Sequence, residues 1–65
     1  MNKIPTKPVI DWAVLFRQYR SEKQISQPEL ARLIGYSVSM IESVEQGRRG
    51  IPANKQQNIL EMMGY

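Results

Sequence analysis

The chain has 65 residues, 42% apolar, 23% charged and 8% aromatic, which describes one small domain with a thin core, since a chain of this size buries only ~60% of its unfolded surface. It contains no cysteine and no histidine, which excludes disulfides, thiolate zinc sites and every histidine-based nucleophile pair, and an enzyme is not expected. Nine basic residues against six acidic leave +3, all of it within residues 1–25, where Lys3, Lys7, Arg17, Arg20 and Lys23 oppose Asp11 and Glu22; an excess of this size suits a polyanionic partner and equally an ordinary solvated surface.

Residues 1–10 contain Pro5, Pro8, two lysines and little periodicity, and read as a flexible basic arm ahead of a domain at 11–65. The arm lacks the apolar core and small-residue cleavage site of a signal peptide, and the longest apolar stretch, Val9 to Phe16, is interrupted by Asp11 and falls short of the ~18 residues of a spanning helix. The expected setting is therefore the cytoplasm, with no membrane, cofactor, metal or small-molecule substrate.

A first helix is predicted over 12–23. Asp11 is a good N-cap, Ile10 and Leu15 can staple the entry, and Trp12, Leu15, Phe16 and Tyr19 form one stripe at i, i+3, i+4 and i+7. That spacing marks the aromatics as core rather than base-stacking residues. Arg17, Gln18, Glu22 and Lys23 fall on the other faces. The second helix has the clearest start, because Ser26-Gln27-Pro28-Glu29 is a capping box with proline where a first-turn N–H is unpaired anyway. Leu30, Ala31 and Ile34 face inward, and Gly35 stops the helix with positive φ.

The third helix, about 37–46, starts at Ser37 as N-cap, turns Ile41 and Val44 inward and ends at Gly47. Its other side carries Val38, Ser39, Glu42, Ser43 and Gln46. Gly47-Arg48-Arg49-Gly50 is a basic turn. A fourth helix begins near Pro52, with Ile59, Leu60 and Met63 as its apolar side, and Gly64 closes it. An all-α, four-helix domain follows.

The second and third helices and their tight turn carry the information. From Gln27 to Gln46 there are twenty residues, with Ala31 fifth, Gly35 ninth, Ile41 fifteenth and Val44 eighteenth. Ala31 is small where two helices cross closely, Gly35 supplies the φ that reverses the chain, and the apolar positions make a shared core. QPELARLIGYSVSMIESVEQG resembles, at every anchor, the pattern Q-x-x-LA-x-x-x-G-x-S-x-x-x-I-x-x-x-E-x-G of the phage lambda-repressor/Cro-like (XRE-type) helix-turn-helix DNA-binding family. The resemblance extends over about 12–64.

The resemblance implies a compact lambda-repressor-like fold whose third helix enters the major groove. The outward residues fit that role. Val38 could touch a thymine methyl, Gln46 could bond adenine N6/N7, Ser39 and Ser43 could pair with several bases, and Glu42 could accept from cytosine N4. No arginine or lysine lies on this face, so guanines are not expected to dominate the site. Backbone contacts are expected from Gln27 and Ser37 at helix N-termini, from Arg48, Arg49, Asn54 and Lys55, and from Lys3 and Lys7 in the arm. Arg20 and Glu45 stand where the family commonly pairs an arginine with a glutamate, a structural tie rather than a reading contact. Most members add a fifth helix; the chain here ends at Tyr65, so that helix is expected to be absent. The function expected is a sequence-specific double-stranded-DNA-binding transcriptional regulator, a repressor of phage or prokaryotic type, nucleoid-associated when bound. A homodimer would explain operator binding, with Met62, Met63 and Tyr65 as its first candidate surface. The rival is a protein-interaction module on the same fold, antitoxin-like or binding a host factor.

Overall fold

The computed structural model describes residues 10–65, so Lys3, Lys7 and the rest of the expected arm before Ile10 lie outside the described residues. Four helices follow in chain order: α1 (Trp12–Lys23), α2 (Gln27–Ile34), α3 (Val38–Glu45) and α4 (Ala53–Met62), with no strand among the described residues. The starts of the first three helices each have a local cause. The Asp11 carboxylate accepts from the Val14 amide at 3.3 Å, and Ser37 Oγ from the Met40 amide at 3.1 Å. At α2 the capping box is complete, with Ser26 Oγ accepting from the Glu29 amide at 3.2 Å and Glu29 Oε1 from the Ser26 amide at 2.8 Å. That last bond, to the Ser26 backbone, holds the Glu29 carboxyl below the usual carboxylate range.

Helix ends close on left-handed residues. Gly35 has φ +76°, and the Tyr36 amide turns back to the Ala31 carbonyl at 2.8 Å. The whole turn between α2 and α3 is Gly35-Tyr36-Ser37. After α3, Gly47 at φ +77° lets the Arg48 amide reach the Ser43 carbonyl and the Gly47 amide reach that of Val44, a Schellman closure. Helix α1 ends the same way without glycine, on Gln24 at φ 57°.

The core is a single cluster of Trp12, Phe16 and Tyr19 from α1, Leu30, Ala31 and Ile34 from α2, Ile41 and Val44 from α3, Ile59 from α4, and Ile51 and Met63. Trp12 and Phe16 meet edge to face at 6.0 Å, the geometry their ring quadrupoles favour. Helix α3 packs against both α1 and α2, while α4 contacts α2. One expectation needs correction. Met63 is buried in the core and is no part of a dimer surface, because it lies one turn beyond Ile59 on the inward side of α4; Met62 and Tyr65 remain exposed. Ile51, between the basic turn and α4, is buried as well.

Candidate nucleic-acid interface

Helix α3 has two chemically distinct sides. Ile41, Val44 and Glu45 are buried, whereas Val38, Ser39, Glu42 and Gln46 are exposed and Ser43 is half-buried. Ser39, Ser43 and Gln46 follow at i, i+4 and i+7, so they form one stripe, and Val38 and Glu42 form the stripe beside it. Four of the expected base-reading residues therefore share the solvent side of one short helix, and the fifth, Gln46, continues that side as its C-cap. The eight residues of α3 include no lysine or arginine.

The inward side is locked by Glu45, the one charged side chain that is buried among the described residues, with its side chain 6% exposed. Its Oε2 accepts from Arg20 Nε at 2.7 Å and its Oε1 from Arg20 Nη2 at 2.8 Å, a bidentate fork. Gln27 Nε2 donates to Oε1 at 3.0 Å. One carboxylate thus ties α1, α2 and α3 together. Burial pushes the Glu45 carboxyl up, but the hydrogen bonds from Arg20 and Gln27, with the charges of Arg20 and Arg17, outweigh it and hold the group below the usual range. The same hydrogen bond raises the Arg20 guanidinium above its ordinary value. No buried side-chain nitrogen or oxygen among the described residues lacks a partner, which meets the condition under which a buried ion pair is tolerated.

The residues expected at the phosphate backbone surround this helix. Gln27 opens α2, and its side-chain nitrogen is committed in part to Glu45, so its position is set by the ion pair. Ser37 opens α3 and uses its oxygen as a cap while its hydroxyl proton stays free to donate. Arg48 and Arg49 are exposed in the turn after α3, lining an open groove with Asp11 and the start of α1. Asn54 and Lys55 are exposed in the first turn of α4, which has no side-chain cap. Sequence reading missed Arg17, whose Nη1 donates to the Glu45 carbonyl oxygen across 28 residues. No local pattern could have found it, because the contact joins two helices far apart in the chain.

A surface helix with a polar outward stripe, clamped from behind and entered through a three-residue turn from α2, defines a helix-turn-helix domain. The chain belongs to that family in its Cro-like form: the family model described as "Helix-turn-helix domain" matches residues 12–64. It is accordingly a DNA-binding regulator in the general sense that the family carries. Comparisons with curated proteins and with solved structures give no match. Among the described residues there is no helix long and apolar enough to cross a membrane and no cluster of side chains suited to a metal ion.

Proposed function

We propose that this protein is a sequence-specific double-stranded-DNA-binding transcriptional repressor that reads an operator through the major groove with α3. The observation that carries the reading is the division of α3, with Ser39, Ser43 and Gln46 in one solvent-facing stripe and Ile41, Val44 and Glu45 held behind it. Gln46 supplies the bidentate amide suited to adenine, Ser39 and Ser43 supply adaptable hydroxyls, Glu42 accepts from cytosine, and Val38 meets a thymine methyl. Gln27, Ser37, Arg48, Arg49, Asn54 and Lys55 hold the duplex backbone and set the register of the reading helix. A homodimer on two half-sites about one helical turn apart would use Met62 and Tyr65, both exposed at the end of the chain. Occupying an operator in this way blocks polymerase.

The test is selection from a randomised duplex library, followed by titration at several salt concentrations. Binding should be selective and should weaken with salt, because phosphate neutralisation releases counterions. Gln46→Ala should change preference by ~1–3 kcal/mol at one base pair, whereas Arg49→Ala should weaken all sequences alike and reduce the salt slope by ~1. Absence of duplex binding at low salt, or a Gln46→Ala profile identical to wild type, overturns the proposal. Salt-insensitive capture of a protein partner without duplex binding would instead favour an interaction module.

A further inference from the structure

An α-helix leaves its last four carbonyls without intrahelical partners. At the end of α3 three of them are closed by the turn itself: Gln46 donates to Glu42 at 3.0 Å, Arg48 to Ser43 at 2.9 Å and Gly47 to Val44 at 3.0 Å. The fourth, that of Glu45, is taken by Arg17 Nη1 from α1. Helix α3 has no basic residue in its own last turn, so the cation that favours the negative end of its dipole is supplied from another helix. Arg17 and Arg20 stand three residues apart on α1, hence on one face. Between them they hold both oxygen-bearing ends of Glu45, the carbonyl and the carboxylate. The next residue in the chain is Gln46, the exposed amide at the end of the reading stripe.

We propose that Arg17 is a specificity-determining positioning residue: by clamping the Glu45 carbonyl it fixes the C-terminal end of α3 and thereby the register in which Gln46 meets its base pair. This rests on the reading of α3 as the recognition helix. The Arg17 contact is to backbone, so its loss leaves every side chain of the reading stripe in place. The Arg20–Glu45 pair orients the helix as a whole, while Arg17 acts on its last turn. Base discrimination at one position therefore depends on a residue of the first helix that makes no base contact.

Wild type, Gln46→Ala and Arg17→Met are compared on the randomised duplex library, with salt titration of each and amide hydrogen exchange of each free protein. Arg17→Met should lose at least about fivefold of its discrimination at the base pair that Gln46→Ala also relaxes, the lower end of what one bidentate base contact carries. Its salt slope should be unchanged, and exchange should accelerate at Gln46, Gly47 and Arg48 while the α1 and α2 amides keep their protection. An unaltered Arg17→Met profile beside a relaxed Gln46→Ala profile overturns this inference and leaves α3 as the reader. Uniform weakening with a salt slope shallower by ~1 also overturns it, since Arg17 would then be a phosphate contact. Loss of helical signal in Arg17→Met makes the residue a stability element and overturns it too. If Gln46→Ala itself changes nothing, the recognition-helix reading falls and this inference falls with it.

Discussion

Removing either partner of the Arg20–Glu45 fork should not cost the same. Arg20→Met keeps the aliphatic stem and deletes the guanidinium. It strands a carboxylate whose side chain is 6% exposed, with only the Gln27 amide still donating to it. Breaking a buried pair in this sense costs ~3–5 kcal/mol. Glu45→Gln keeps shape and an acceptor oxygen, and it strands a guanidinium that is 24% exposed and can draw on water; the loss is then ~1–2 kcal/mol, close to one charge-assisted hydrogen bond. Total stability of a chain this short is ~3–10 kcal/mol, so Arg20→Met should lose from about a third to all of it while Glu45→Gln stays folded. Urea titrations followed by circular dichroism at neutral pH check this. Acid adds a second discriminant. In Arg20→Met the unpaired buried carboxyl is raised, so protonation relieves it and the gap to wild type narrows as pH falls. Equal losses under ~1 kcal/mol for both variants, or a larger loss for Glu45→Gln, would refute the account of Glu45 as a buried charge held by its partners.

Three other outcomes follow from the backbone and the charges. Gln24 closes α1 at φ 57° where glycine carries no Cβ penalty, so Gln24→Gly should raise stability by ~0.5–1 kcal/mol in the same urea titration. Gly35→Ala should lower it by ~1–2 kcal/mol, a cost of φ +76° alone because an added Cβ there meets nothing within 4 Å; a loss far larger would mean a clash that the turn does not contain. In wild type, Glu45 is depressed on folding, so its contribution is complete above the ordinary glutamate value of ~4.3 and is lost as pH falls through the lowered value. Thermal midpoints should therefore be flat from pH 7 to 5 and drop below about pH 4, and Glu45→Gln should flatten that drop.

What could be read from residues alone was the set of relations that close within one turn. Asp11, Ser26 and Ser37 cap amides three residues ahead, and Gly35 and Gly47 satisfy the φ that a helix end demands, so the helix starts and the reversing turn between α2 and α3 fell where residue chemistry placed them. The outward stripe of α3 was legible for the same reason, because 3.6-residue periodicity assigns sides without knowing what covers them. Ile51 was not legible: a lone apolar residue between Gly50 and Pro52 has no period to betray its direction. Met63 was legible in part, because it stands four residues after Ile59 on the apolar side of α4, whereas its neighbour Met62 falls off that side and is exposed.

The chain's own order of residues determined four short helices, their boundaries and which stripe of the third is polar, since all of these depend on contacts between near neighbours. The family resemblance already paired Arg20 with Glu45; the tertiary structure decided that Glu45 is a buried junction fed also by Arg17 and Gln27, which stand 28 and 18 residues away. Hydrogen-bond partners at such separations are chosen by how helices cross, and crossing is a property of the assembled core rather than of any segment within it.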